Sequence, residues 1–299
     1  MEKKLVLSFD GGGLRGIWPI TIISRLYEKY PRIKTQVELF AGASTGGLIA
    51  ISLAAGIDPQ VVREIYLKDG PNIFKRTAAR RISSGDGYFA PKFDNKKLIE
   101  VVQRSMKDAP ITIKELPGRV IIPTFDLFEP LHDCWRPVFF HNYSELGRWD
   151  EICWELAVKT SSAPGYFPTY DGYVDGGVSA NNPSMIAVGR IVNEYGRGAL
   201  DEMVLLSLGN GASTNKIDPP QDWGFLKWTK PLIGIFMEGL GNIPDFQCEQ
   251  FCKNYLRINP FMADGYNFDD PAGVPVLAKH AEEFDITPVE EFLSKNGII

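Results

Sequence analysis

Gly42-Ala43-Ser44-Thr45-Gly46-Gly47 lies where an apolar strand pattern, Val37-Glu38-Leu39-Phe40-Ala41, gives way to an apolar helix. A G-x-S-x-G turn in that setting predicts a nucleophile elbow. The serine is held in a strained backbone position, and the small residues around it let strand and helix approach while Oγ is presented at the carboxyl edge of a sheet. Ser44 is therefore the candidate nucleophile. The same spacing also suits a plain small-residue turn with a helix-capping serine.

A second glycine run opens the chain. Lys4-Leu5-Val6-Leu7-Ser8-Phe9 reads as a short buried strand leading into Asp10-Gly11-Gly12-Gly13-Leu14-Arg15-Gly16. Ile17, Ile20, Ile23, Leu26 and Tyr27 then recur at helical spacing, with Pro19 in the first turn, where its missing N–H costs little. Unobstructed backbone N–H groups beside a helix N-terminus make an anion site. Gly11, Gly13 and Gly16 also satisfy G-x-G-x-x-G, so a nucleotide-binding protein using the Gly11–Gly16 loop is an alternative. A dinucleotide fold needs an acidic residue at the end of its second strand, about 20 residues on. Here Tyr27 to Lys34 reads as a charged helix end, and the next strand leads straight to Ser44, which favours an oxyanion hole over a phosphate cradle.

The third motif, Tyr173-Val174-Asp175-Gly176-Gly177-Val178, ends a short apolar strand with an acid at a glycine turn, and Ala180-Asn181-Asn182-Pro183 follows. Alone it is an ordinary turn. Its significance comes from the histidines: His132 and His141 precede Asp175, and His280 sits on the polar face of an expected helix. With no well-placed imidazole, an aspartate hydrogen-bonded to Ser44 in a desolvated cleft serves as the base.

Together the three motifs resemble those of the patatin-like phospholipase family, whose core is related to the cytosolic phospholipase A2 catalytic domain. Its D-G-G-G-x-R-G is similar to Asp10–Gly16, its G-x-S-x-G to Gly42–Gly46 and its D-G-G/A to Asp175–Gly177, all in the family's order. The resemblance extends through Tyr88–Asn95, Val120–Asp126 and Thr160–Pro168, from Leu5 to about Gly211. It implies a Ser44–Asp175 dyad, with an oxyanion hole from the N–H groups of Gly11, Gly12 and Gly13. Arg15 would add positive potential or brace the loop, unless it is an ordinary surface ion pair. The implied reaction is hydrolysis of fatty-acyl esters of lipids or phospholipids through a Ser44 acyl-enzyme, with no cofactor and no metal. Some bacterial members act as defence effectors that degrade membrane phospholipids after binding a cyclic oligonucleotide; that activator is carried as an expectation, although no residue marks a nucleotide sensor. A catalytically silent, lipid-binding member is the other alternative.

The elements that must position these groups predict an α/β fold: a three-layer sandwich with a central, mostly parallel sheet, in one domain over residues 1–299. Met203–Gly211 reads as a buried parallel strand near the site, and Thr287-Pro288-Val289-Glu290 as the capping-box start of a last helix. Lys75, Arg76, Arg80 and Arg81, with Ser83–Gly87 after them, read as a mobile charged loop. Trp223–Met237 reads as a core helix over the sheet, with a lid or interfacial helix as the competing reading. The net charge of −5 argues against bulk nucleic acid as a partner. No run of about 18 apolar residues predicts a membrane span. Cys134, Cys153, Cys248 and Cys252 form no zinc-binding pattern and read as free thiols of a reducing compartment. A cytoplasmic enzyme making transient, peripheral contact with a membrane surface is expected.

Overall fold

Alternation along the first strand sets the architecture. Leu5, Leu7 and Phe9 belong to one buried cluster and Val6 to another. Both faces of the strand are thus covered, which is why its sequence is a continuous apolar run without polar alternation. The structure is a computed structural model and describes residues 3–129, 134–143, 150–212, 217–218, 222–262 and 267–299. Its strands are β1 (Lys4–Phe9), β2 (Val37–Gly42), β3 (Val120–Glu129), β4 (Cys134–His141), β5 (Tyr173–Asp175), β6 (Met203–Leu208) and β7 (Tyr255–Ile258). They form one sheet in the order β4-β3-β2-β1-β6-β7, with β5 paired to β3. Pairings from β3 through β7 along this path are parallel, while β4 and β5 run antiparallel to β3.

Helices α1 (Ile17–Lys29), α2 (Thr45–Ala54) and α3 (Pro59–Lys68) cover one face, together with the helices Lys96–Ser105 and Gly273–Glu283. The other face carries Ala187, Val188 and Ile191 of the Ser184–Tyr195 helix and the buried Cys248 and Cys252. The result is the expected three-layer sandwich around a mostly parallel sheet. Its register places the site: Phe9 pairs with Gly42, so β1 and β2 end side by side and deliver the glycine run and Ser44 to the same edge.

Three segments differ from expectation. Residues 75–87 are not a plain loop: Ala78–Ser84 is helical, started by Thr77 accepting from the Arg80 N–H, and Gly85–Gly87 forms a 3-10 turn. The last helix, Thr287–Lys295, lacks a capping box. Its Thr287 lies inside the helix, and Asp285 accepts the Thr287 N–H instead.

The Trp223–Met237 stretch opens a long helix, Phe225–Phe251, and none of the described side chains in that stretch is buried as a core helix would require. Ile235 and Phe236 are exposed, Met237 and Leu240 are half-buried, and the helix is buried at Gly241 and Cys248. The side chains of Phe225, Leu226, Thr229, Lys230 and Ile233 lie outside the described residues, as does His132. Pro244 has no N–H, so the Leu240 carbonyl lacks its helical partner. Asn182 supplies one: its N–H donates to Leu240 O at 3.3 Å, and its Nδ2 to Gly241 O at 3.0 Å. This long helix is thereby tied to the loop that follows Asp175. Among the described residues, no helix is long and apolar enough to cross a membrane.

Candidate active site

Ser44 has φ 54° and ψ −124°, a region that costs a non-glycine residue about 1–3 kcal/mol. Its surroundings hold it there. The Ser44 N–H donates to Thr160 Oγ1 at 3.0 Å, and that hydroxyl donates to Pro123 O at 2.7 Å. A Cβ at Gly42 would fall 2.0 Å from Gly46 O, and one at Gly46 would fall 2.2 Å from Phe9 O. The two glycines of the motif are thus contact points: one lets β2 turn back on α2, the other lets α2 begin against the end of β1. Ser44 makes no side-chain cap for α2, so the helix-capping reading fails.

Its hydroxyl instead donates to Asp175 Oδ2 at 2.5 Å. Asp175 ends β5 opposite Thr124 and is only 4% exposed, and its other oxygen accepts the Gly177 N–H at 2.7 Å. Gly176 carries no Cβ because one would meet Pro123 O at 2.0 Å. The N–H groups of Asp175 and Gly176 bond the carbonyls of Ser162 and Thr160. The segment Thr160–Ser162 therefore pins both halves of the pair. Burial pushes the Asp175 carboxyl up to about 7, opposed by the bonds from Ser44 and the Gly177 N–H. Such a carboxylate can take up a proton near neutrality, as a base must.

The histidines are elsewhere. His280 accepts a hydrogen bond from Trp18 Nε1 at 3.0 Å on the exposed side of its helix, and neither it nor His141 lines the cavity at Ser44.

The glycine run is clamped from below. Asp10 is buried and paired through both oxygens with Arg257, at 3.1 and 2.6 Å, while Arg257 also donates to Ser207 Oγ. Asn210 Nδ2 donates to Asp10 O at 2.7 Å. The expectation that Gly11, Gly12 and Gly13 present three free donors needs a correction: the Gly11 N–H is spent on Asn181 O at 3.0 Å. Gly11 locks the loop to the Asp175 turn, and a Cβ there would meet Asn181 Oδ1 at 2.5 Å. Gly12 and Gly13 line the cavity with Ser44, and neither N–H has a partner among the described residues. Gly13 sits at φ 55°, and a Cβ on it would meet Phe268 O. Gly16 is buried where α1 begins, under Tyr66 and Thr45.

Arg15 forms no ion pair among the described residues. Its guanidinium lies 4.3 Å from the centre of the Phe268 ring, and burial lowers its pKa to about 10. The loop is braced by this stack, since Leu14 N–H also donates to Phe268 O at 2.9 Å.

A cavity of about 510 Å³ opens at Ser44, Asp175, Gly12 and Gly13 and runs between α2, α3 and the Lys96–Ser105 helix. Leu48, Ile65, Leu98, Val102 and Phe167 make its walls apolar, and Phe236, Met237 and Leu240 of the long helix also line it. Ser52 is a further lining residue, eight residues along α2 from Ser44, or about 12 Å at the helical rise. Among the described residues, no group of three or more His, Cys, Asp or Glu side chains is placed to hold a metal.

Of the groups that build this site, Thr160, Asn181 and Asn210 sit in motifs visible in the sequence, yet no local pattern assigns their contacts. Arg257 carries no sequence signal at all, being 247 residues from Asp10.

The family model for "Patatin-like phospholipase" matches residues 7–188. "Protein teg" of Priestia megaterium is 25% identical over 99% of each chain. "Patatin-like protein 2" of Arabidopsis thaliana is 27% identical over 98% of this chain and 81% of its own. Among solved structures, VipD from Legionella pneumophila aligns with a TM-score of 0.45 at 13% identity, over 94% of this chain and 65% of that one. With three glycine motifs meeting around one serine and the family model matching more than half of the sequence, the chain belongs to the patatin-like phospholipase family.

Proposed function

We propose that this protein hydrolyses fatty-acyl esters of lipids or phospholipids through an acyl-enzyme on Ser44. The observation that carries the reading is the 2.5 Å hydrogen bond from a strained, cavity-facing Ser44 to a buried Asp175. Asp175 accepts the hydroxyl proton as Oγ attacks the ester carbonyl. The developing oxyanion is stabilised by the Gly12 and Gly13 N–H groups, where one lost donor typically costs ~2.7–4 kcal/mol of transition-state stabilisation. Protonated Asp175 then gives its proton to the departing alcohol. Water repeats the cycle and frees the fatty acid. Because no hydrogen-bond geometry must be built on binding, the pair is preorganised for proton transfer.

The apolar cavity suits the acyl chain. At about 1.25 Å per methylene, from ~1.5 Å bonds at the tetrahedral angle, the stretch from Ser44 to Ser52 accommodates roughly ten carbons. The substrate's headgroup stays at the mouth, where peripheral contact with a lipid surface would occur.

The test is fatty-acid release from phospholipid vesicles by the wild-type chain and by Ser44→Ala. Release by wild type alone is expected. Equal release by both, or none from a folded wild-type chain on any acyl ester, overturns the proposal.

A further inference from the structure

Residues 75–92 hold five basic side chains against one acidic, net +4, so the remainder of a chain of net charge −5 carries −9. Three of these cations are used internally, Lys92 among them. Arg76 pairs with Asp86 at 2.6 Å, and Arg80 donates to the carbonyls of Pro91 and Phe93. Those contacts fix the shape of the segment. Lys75 and Arg81 are exposed and have no ion-pair partner among the described residues.

The same segment exposes apolar side chains to an unusual degree: Ile82 is 83% exposed, Tyr88 64% and Phe89 86%. Single exposed apolar residues are ordinary, but three in one short segment that follows two free cations mark an interaction surface.

Its position identifies the partner. Lys92 N–H donates to Gly165 O and Phe93 N–H to Tyr166 O, and the Tyr166 side chain lines the cavity at Ser44. Lys92 also pairs with Asp269 at 3.2 Å, beside Phe268 on the rim. Phe236, which also lines the cavity, is 61% exposed. The basic and aromatic segment is therefore continuous with the opening through which an acyl chain must pass from its lipid phase.

We propose that residues 75–92 form a docking face for an anionic phospholipid bilayer. Ile82 and Phe89 enter the interfacial zone, while Lys75 and Arg81 meet headgroup phosphates. Aromatic and aliphatic tips flanked by basic residues match both halves of such an interface. Each basic residue at an anionic membrane surface is worth about fivefold in partitioning. This inference rests on the hydrolase reading only in taking the cavity mouth as the lipid entrance.

Co-sedimentation tests it, with the Ser44→Ala chain so that turnover does not remodel the vesicles. These are phosphatidylcholine alone or with a quarter phosphatidylglycerol. Preferential, salt-weakened binding to the anionic vesicles is expected. Lys75→Gln with Arg81→Gln should lose about 25-fold in that binding, and Ile82→Ser with Phe89→Ser should lose binding to both compositions. In the Ser44-intact chain, both double variants should cleave a soluble short-chain ester at the wild-type rate, since none of the four residues lines the cavity.

Binding indifferent to both double variants overturns the docking face, as does a lack of preference for anionic lipid. So does a change in oligomeric state in the Ile82/Phe89 variant with vesicle binding intact, which would assign the face to a second copy of the chain. Soluble-ester hydrolysis without vesicle binding refutes the face and leaves the hydrolase standing; vesicle binding without hydrolysis does the reverse.

Discussion

Replacing Asp175 with asparagine should remove activity and make the protein more stable. Burial raises the Asp175 carboxyl from 3.8 to about 7, so the folded state holds a proton that the unfolded chain releases. Stability from this group is fully present below the unfolded value and is lost as pH rises through the folded value. At about 1.36 kcal/mol per unit, ionised Asp175 costs the fold on the order of 4 kcal/mol at pH 8 and under half of that near pH 5. Asparagine keeps the shape, carries no charge and can still accept the Gly177 N–H. Denaturant unfolding of wild type and Asp175→Asn across that pH range should show an advantage for the variant that grows by roughly 2–3 kcal/mol and levels off above pH 7. Turnover should fall by orders of magnitude throughout. An advantage that is absent, or constant with pH, would show that the buried carboxylate is not under strain and would remove the electrostatic basis assigned to the base.

The remaining predictions follow the same geometry. For hydrolysis of a soluble ester, kcat/KM should rise with pH and reach half its plateau near 7, because Asp175 must be ionised to accept the Ser44 proton; a flat profile from pH 5 to 8 contradicts that assignment. Arg257→Met leaves Asp10 buried without its partner and should destabilise the fold by about 3–5 kcal/mol in denaturant titration, with loss of turnover because the clamp under the glycine loop is gone. Ser52→Phe adds bulk to the cavity wall about 12 Å along α2 from Ser44 and should shift the preferred substrate in a p-nitrophenyl ester series towards shorter chains, leaving acetate hydrolysis near wild type.

How much of this was legible in the sequence depended on distance along the chain. The elbow could be found because strand, serine and helix are contiguous, and the two glycines sit where backbone approaches backbone. The parallel sheet followed from apolar runs such as Met203–Leu208, buried along its whole length. The loop's donor count was not legible, because the Gly11 N–H is taken by Asn181, 170 positions away in sequence. The clamp on Asp10 was equally hidden, since Arg257 looks like any strand cation until β7 is placed beside β6. Composition misjudged the Trp223–Met237 stretch: aromatics at helical spacing predicted a helix correctly, but part of its apolar surface lines a cavity and part faces outward.

In the proposed mechanism Ser44 is the nucleophile and Asp175 activates it. The most direct test is intact-mass and peptide mapping of the chain after exposure to a fluorophosphonate, for wild type, Ser44→Ala and Asp175→Asn. A single adduct on Ser44 is expected in wild type, none in Ser44→Ala and strongly slowed labelling in Asp175→Asn. An adduct on another residue, or labelling of Ser44 at an unchanged rate without Asp175, would contradict that mechanism.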